Sequence, residues 1–496
     1  MVLLGNIVIG AYLLCLTFIT VYCLFQFHLL FHYKKYKRKQ NGGHRPKPEL
    51  NGHLPMVTIQ LPIYNEYYVV SRLIDTICKM DYPQSKMEIQ ILDDSTDETV
   101  DISREKVAEY KAKGFDINLV QRTDRKGYKA GALKEATVDA KGEFIAIFDA
   151  DFLPGANFLR ETLPHFQDDK VAVVQTRWGH INQGYSLITE MQAFQLNVHF
   201  TVEQQGRESG NYLLQFNGTA GVWRTEAIAD AGGWEADTLT EDLDLSYRAQ
   251  LKGWQIIFLE DVTSPAELPA EMIGLKSQQY RWMKGGAETA KKLLPKIWSS
   301  DIRMGRKIHA SVHLLGSTVF LFVFLIGVFS VPLIYFINPL DADFRFLNVF
   351  LISLLSVAVV YYVANVQSVW KNDNWIKSLL KFILLFPVFL SLSMGLSLHN
   401  SIAVIAGYMG KKSSFVRTPK FNITGIADSF RKDRYQGFKI SKVTILEGFM
   451  TLYFLGAIVS GFWLGNVSML LFHISLCLGY GTIFFYSIKH LNYQAT

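Results

Sequence analysis

The apolar residues of this 496-residue chain are gathered into long runs near its two ends, and about 250 residues of ordinary polar composition lie between them. That unevenness constrains the architecture before any motif is read, because it demands a membrane-embedded part and a water-soluble part in one chain. The first run, Val2 to Phe31, is long enough to cross a hydrocarbon core of roughly 30 Å as one helix, and Lys34, Lys35, Lys37, Arg38 and Lys39 follow it at once. A cleavable leader carries its positive charge before the apolar stretch, and here the order is reversed. We therefore expect an uncleaved anchor over residues 1–33 with its basic end in the cytoplasm, continued by a basic cytosolic linker over 34–54.

Apolar runs return at 308–336, 346–366, 379–409, 443–464 and 467–488. Four of them read as plain spans, but 379–409 is interrupted by Pro387, Gly395, His399 and Asn400, which suits a kinked, re-entrant or interfacial segment better. The loop 410–442 carries Lys411, Lys412, Arg417, Lys420, Arg431, Lys432, Arg434, Lys439 and Lys442, so the positive-inside rule puts it in the cytoplasm. With the N-terminus outside, this requires 379–409 to return to the side from which it entered. The expected layout is the soluble domain over 55–300, transmembrane and interfacial helices over 301–409, the basic loop over 410–442 and two transmembrane helices over 443–496.

Composition removes several alternatives. With 49% hydrophobic and 19% charged residues the chain is neither disordered nor collagen-like. Its 50 basic residues exceed the 44 acidic ones by only six, an excess that basic loops facing anionic lipid account for, so a lipid bilayer and not a nucleic acid is the expected partner. Cys15, Cys23, Cys78 and Cys477 have no CxxC or zinc-like spacing and point to no disulfide framework.

Within 55–300, three β-rich runs, Val57 to Pro62, Met87 to Leu92 and Phe144 to Phe148, alternate with helical stretches such as Val69 to Lys79 and Val100 to Lys113. Alternation of this kind predicts a parallel sheet with both faces covered, and ligands of such sheets bind beyond the carboxyl ends of the strands. The second run ends in Asp93-Asp94-Ser95-Thr96-Asp97 and the third in Phe148-Asp149-Ala150-Asp151. Two carboxylates one residue apart at a strand end can share a hard divalent cation with a substrate diphosphate. Each cluster alone is equally well a helix cap; together on one sheet they favour a metal-bound diphosphate. Between them, Arg122 to Leu133 forms a basic loop with Gly127 and Gly131 that turns helical, where backbone N–H groups and Lys129 suit phosphate oxygens. It matches neither a P-loop nor a GxGxxG turn. A distant carboxylate such as Asp242 could take a proton from an attacking hydroxyl, and Arg281 beside Trp282 pairs a phosphate fork with a flat surface for a sugar ring.

Asp94, Asp149-x-Asp151, Thr240-Glu241-Asp242 and Gln278-x-x-Arg281-Trp282, in this order on a membrane-anchored chain, resemble the D, DxD, TED and QxxRW set of processive family 2 glycosyltransferases, which cellulose, chitin and hyaluronan synthases share. His199 to Gln204, Phe216 to Arg224, Gly127 to Leu133 and Phe415 to Lys420 are similar to the cellulose synthase-like A and C enzymes, makers of β-1,4-mannan, glucomannan or glucan. The resemblance implies a GT-A-type, Rossmann-like α/β catalytic domain in the cytosol joined to an α-helical transmembrane bundle. It implies an inverting, processive enzyme that polymerises a β-1,4-linked glucan, mannan or glucomannan from UDP-glucose or GDP-mannose with Mg²⁺ or Mn²⁺ and moves the growing polysaccharide through the bundle.

Residue by residue, it implies Asp242 as general base beside Glu241, and Asp94, Lys129, Asp149, Asp151 and Arg281 on the nucleotide and diphosphate, with Asp149 and Asp151 on the metal. Gln278 and Trp282 would hold the acceptor end, Trp178, Phe216, Asn217 and Gly218 would line its path together with Gln175, and Arg417, Thr418 and Lys420 would close over the donor. Accessory export proteins or a second copy of the chain are further partners of this class of enzyme. Only Lys489 to Thr496 follow the last apolar run, so control through an appended cyclic di-GMP domain is not expected. The short tails favour a bacterial plasma membrane, and a Golgi membrane fits as well. Two other readings stay open at this point: a membrane enzyme that adds one sugar to a lipid such as ceramide or diacylglycerol, and a non-enzymatic transporter or receptor.

Overall fold

The structure is a computed structural model and describes residues 2–41, 52, 54–336, 349–371, 373–413, 416–425, 428 and 440–492; Phe415, Arg431, Lys432, Arg434 and Lys439 lie outside them. Helix α1 (Val2–Asn41) takes in both the apolar run and the basic residues after it. In the soluble part follow β1 (Val57–Ile63), α2 (Val70–Ile77), β2 (Met87–Asp93), α3 (Thr99–Ala112), β3 (Asp116–Val120), α4 (Tyr128–Val138), β4 (Phe144–Ile147), α5 (Phe158–Thr162), β5 (Val171–His180), α6 (Leu187–Val198), α7 (Gln204–Ser209), β6 (Gly221–Arg224), α8 (Thr225–Asp230), α9 (Glu241–Leu251) and β7 (Gln255–Ala266). Helix α10 (Met272–Ser299) then leads to α11 (Met304–Leu314), α12 (Val319–Phe336), α13 (Leu351–Tyr362), α14 (Trp375–Gly395), α15 (Ser397–Tyr408), α16 (Lys442–Trp463) and α17 (Leu470–Asn492).

The strands form one seven-stranded sheet in the order β3-β2-β1-β4-β6-β5-β7. Strands β1 to β4 run parallel, and β5 and β7 are parallel to each other, but β6 is antiparallel to both β4 and β5. The sheet is therefore mixed and not all-parallel as the sequence pattern predicts. Strand β6 is only four residues long and follows directly on the Phe216 to Ala220 segment, so no strand-length apolar run announces it.

Each face of the sheet is covered. One core layer joins Val57, Ile59, Leu61, Ile89 and Ile91 to Leu73 and Ile77 of α2 and Val107 of α3. The other joins Ile145, Ile147 and Trp223 to Leu133 of α4 and Leu245 of α9. Burial on both sides explains why β2 is buried along its whole length, its alternating Glu88 and Gln90 included.

Among the described residues, six helical segments are long and apolar enough to cross a membrane: Leu3–Gln40, Met304–Phe336, Leu351–Val369, Trp375–Gly395, Lys442–Trp463 and Leu470–Leu491. The expected single interrupted segment over 379–409 is instead two helices. Pro387 sits inside α14 without ending it, as membrane helices tolerate, and the break comes at Leu396, before the 12-residue α15. Helix α15 packs on α10 so tightly that a Cβ at Gly407 would lie 2.6 Å from the Lys284 carbonyl oxygen. At the other end of the molecule, Lys37 of α1 pairs with Glu260 of β7 at 2.9 Å, and the Tyr33 hydroxyl donates to the same carboxylate at 3.0 Å. The anchor is thus docked on the soluble domain.

Candidate active site

The carboxyl ends of β1, β2, β4, β5 and β7 open on one cleft. Each strand delivers polar side chains there: Tyr64 and Glu66 after β1, Asp94 after β2, Asp149 and Asp151 after β4, Trp178 and His180 from the end of β5, and Glu267 after β7. This is where a twisted sheet leaves strand ends unblocked. Helix α10 closes another side with Gln278, Arg281 and Trp282, and the segment 416–420 closes the top with Arg417, Thr418 and Lys420.

The basic loop reaches the cleft through a left-handed turn. Gly127 has φ of 74° and precedes α4, and a Cβ on Gly131 would lie 2.1 Å from the Lys126 carbonyl oxygen, so both glycines are required for the loop to coil this tightly. The turn carries Lys129 inward, where its Nζ donates to Asp149 Oδ1 at 2.5 Å and to the Gly218 carbonyl at 3.0 Å. Arg122, from the start of the loop, forks onto both oxygens of Asp94. The guanidinium of Arg125 stacks 3.1 Å from the centre of the Tyr64 ring.

Asp151 Oδ2 accepts from the Glu267 backbone N–H at 3.1 Å and from Lys420 Nζ at 2.7 Å. Lys420 also donates to the Glu267 carbonyl at 2.5 Å, and the Phe421 N–H donates to Glu267 Oε1 at 2.8 Å. Arg417 lies 3.3 Å from Glu66. Arg281 donates from one nitrogen to the Val416 carbonyl at 2.6 Å and from another to Thr418 Oγ1 at 2.9 Å. The three residues expected to gate thus each hold a cleft residue.

Asp242 and Glu241 start α9 behind Lys129. A Cβ at Gly218 would lie 3.0 Å from Asp242 Oδ2 and 3.6 Å from Lys129 Nζ, which places the Gly218 backbone against the carboxylate. Burial, reinforced by the Glu241 charge, pushes the Asp242 carboxyl well above the ordinary range, and Lys129 only partly opposes it. Burial raises Glu241 as well. It raises Glu66 to about 8 against the pull of Arg417, and it lowers Arg281 to about 10 against the fields of Asp149 and Glu241.

Asp149 and Asp151 offer hard oxygens one residue apart at a single strand end, and Asp149 keeps 37% of its side chain exposed to the cleft, so the pair fits a divalent cation. In their present arrangement each is partnered by a lysine. Two further polar atoms of the cleft wall, Trp178 Nε1 and His180 Nε2, are buried with no hydrogen-bond partner among the described residues. Burial holds His180 neutral by lowering it to about 3. An indole N–H and an imidazole nitrogen left open in a concave wall suit the hydroxyls of a sugar.

The structure brings Asp94, Lys129, Asp149, Asp151, Trp178, Gln278, Arg281, Trp282, Arg417, Thr418 and Lys420 to one cleft, with Glu241, Asp242 and Gly218 immediately behind Lys129. Two expectations need correcting. Phe216 is fully buried and packs edge-on against Trp223 of β6, so it is a core residue and lines no path. Gln175 is fully buried too, and its amide holds the loop before β6, accepting from the Asn217 N–H at 2.9 Å and donating to the Thr219 and Ala220 carbonyls. Glu66, His180 and Glu267 belong to the site and were not anticipated, while Arg122 and Arg125 were expected only as part of the basic loop. The polar residues that end β1, Tyr64-Asn65-Glu66, were the one available signal, since they follow the same rule as those that end β2 and β4.

Residues 55–285 match the family model described as Glycosyltransferase like family 2. Glucomannan 4-beta-mannosyltransferase 1 of Oryza sativa subsp. japonica is 42% identical over 269 residues, which are 53% of this chain and 52% of that protein. Glucomannan 4-beta-mannosyltransferase 9 of Arabidopsis thaliana is 40% identical over 265 residues, 52% of this chain and 50% of that protein. The chain spans about half the length of the curated relatives it matches. Among solved structures, the mannosyltransferase PcManGT from Pyrobaculum calidifontis in complex with GDP-Man and Mn²⁺ aligns over 72% of this chain and 100% of its own at 19% identity, with a TM-score of 0.49. These relatives from plants lend no support to a bacterial plasma membrane.

Proposed function

We propose, taking residues 55–285 as a family 2 glycosyltransferase domain of GT-A type, that the chain is a multi-pass membrane enzyme. It builds a β-1,4-linked mannan or glucomannan from a nucleotide-sugar donor, GDP-mannose or UDP-glucose, by inverting transfer, and passes the product into its own helices. The observation that carries this reading is the meeting, in one cleft, of the Asp149/Asp151 pair and Lys129 with Gln278, Arg281 and Trp282 of α10, the helix that leads into the membrane segments.

In this reading Tyr64, Asp94 and Arg125 hold the nucleoside end of the donor, and Lys129 and Arg281 turn toward the diphosphate oxygens. Asp149 and Asp151 would hold Mg²⁺ or Mn²⁺, which when bound neutralises diphosphate charge and supports its departure. Trp282 offers its ring to the terminal acceptor sugar, and Gln278 bonds its hydroxyls. Asp242, kept basic by its buried setting, takes the proton of the attacking hydroxyl as that oxygen approaches the anomeric carbon from the side opposite the leaving group, so an α-linked donor gives a β-linked product. Arg417, Thr418 and Lys420 keep water from the reacting carbon while the donor is held.

Membranes containing the protein, given each radiolabelled donor with Mg²⁺ or Mn²⁺, should place label in ethanol-insoluble material, and the Asp242→Asn variant should not. Label recovered in organic solvent as a single-sugar lipid would replace this reading with that of a lipid glycosyltransferase.

A further inference from the structure

A line of polar side chains runs from the segment beside Asp242 to the first membrane helix after the soluble domain, and the donor chemistry above uses none of it. His199 opens a π-helical turn, His199–Glu203, between α6 and α7, and such turns recur at functional positions. Its Nδ1 lies 2.9 Å from Glu203 Oε2 and its Nε2 lies 2.8 Å from Asn217 Oδ1. Gln215 Nε2 lies 3.0 Å from the same Oδ1, and Gln215 Oε1 lies 3.1 Å from His313 Nε2 of α11. The Tyr247 hydroxyl completes the line 2.7 Å from His313 Nδ1.

With the Gln215 amide nitrogen donating to Asn217 Oδ1, the sense of donation along the line follows. Tyr247 O–H donates to His313 Nδ1, His313 Nε2–H to Gln215 Oε1, and Gln215 Nε2–H to Asn217 Oδ1. His199 Nε2–H donates to Asn217 Oδ1, and its Nδ1 lies against the Glu203 carboxylate. Asn217 Oδ1 thus receives two hydrogen bonds that fix the plane of its amide. Its Nδ2 has no partner among the described residues although the residue is only 8% exposed. A buried amide donor left open costs about 1–3 kcal/mol unless a ligand fills it. The next residue, Gly218, lies against the Asp242 carboxylate.

We infer that His199 and Glu203 are positioning residues, which lock Asn217 so that its Nδ2–H donates to a hydroxyl of the acceptor sugar and holds that sugar's reacting oxygen toward Asp242. This rests on the acceptor being a hexose chain, as proposed above. The same line ties the amide to α11 through His313, so the acceptor grip and the first membrane helix share one hydrogen-bonded path.

The test uses the full chain in lipid nanodiscs and a soluble β-1,4-linked manno-oligosaccharide as acceptor, varied at saturating donor. His199→Ala and Asn217→Ala should each raise the acceptor KM about tenfold, the loss of one hydrogen bond, with the donor KM within about twofold of wild type. Because His199 acts through Asn217, the double variant should be no worse than either single one. Glu203→Gln, which keeps shape and removes the charge that faces His199 Nδ1, should move the acceptor KM in the same direction and serves if His199→Ala fails to fold. Donor and acceptor KM rising together, or single effects that multiply to about 100-fold in the double variant, would overturn the inference. A wild-type protein that turns over donor without elongating the oligosaccharide would instead overturn the polymerase reading on which it stands.

Discussion

Substituting Gly218 by alanine isolates the contact between the loop before β6 and the carboxylate at the start of α9. Gly218 has φ of 81°, a left-handed conformation that costs a side-chain-bearing residue about 1–2 kcal/mol. The added methyl would stand 3.0 Å from Asp242 Oδ2 and 3.6 Å from Lys129 Nζ. A carbon at that distance needs the carboxylate to retreat by about half an ångström to reach ordinary contact, and the Gly218 carbonyl, which accepts from Lys129 at 3.0 Å, moves with the backbone. A displacement of about 1 Å in a reacting group can cost on the order of 100-fold, so we expect the transfer kcat to fall by about 10- to 100-fold. The melting temperature should fall by less than about 8 °C, at roughly 2–4 °C per kcal/mol for a domain of this size. Initial rates of label incorporation, normalised to detergent-solubilised monodisperse protein, and a thermal-shift series give both quantities. Gly305→Ala is the control, because a Cβ there meets nothing within 4 Å. Transfer by Gly218→Ala within about threefold of wild type would refute the placement of Asp242 at the reacting oxygen, since a displaced base cannot work at that rate.

Other outcomes follow from the same geometry. Asp242 has to be ionised to accept a proton and its pKa is raised by burial and by Glu241, so kcat should fall as pH drops through a value well above the ordinary carboxyl pKa of about 4; a profile of kcat from pH 5 to 8.5 with an acid limb near 4 would contradict the assignment. Arg281→Lys loses one prong of the fork onto Val416 and Thr418, and the donor kcat/KM should drop about tenfold while expression and melting temperature hold. Lys420 competes for Asp151 at 2.7 Å, so Lys420→Ala should lower the half-activating Mn²⁺ concentration about tenfold, the worth of one charged hydrogen bond, while chelation of all divalent ions should abolish transfer in both proteins.

Much of this site is legible in sequence because strand ends announce themselves. The apolar runs of β1, β2 and β4 are bounded by acidic or amide residues, and parallel strands put those boundaries on one edge. What sequence hides is pairing across distance. The Lys420 and Asp151 contact joins residues 269 apart, and the Arg72 and Asn422 bond joins residues 350 apart; neither follows from local spacing. Phe216 was misread for a related reason. It stands beside Asn217 and Gly218 in the motif, but neighbouring residues in an extended segment point to opposite sides, and its side falls into the core against Trp223. Strand β6 escaped because four residues are too few to show a period. Of the interruptions read in 379–409, Pro387 does not end α14, as membrane helices tolerate, and the break falls at Leu396 beside Gly395.

The central claim is that one chain adds sugars repeatedly to a retained product, and the length of the earliest product tests it most directly. Purified protein in nanodiscs, given labelled GDP-mannose for a time in which only a small fraction of donor is consumed, should yield a few long chains that β-1,4-mannanase cuts to small oligosaccharides. Products one or two sugars long at that stage, growing in step as donor is consumed or partitioning into organic solvent, would contradict it.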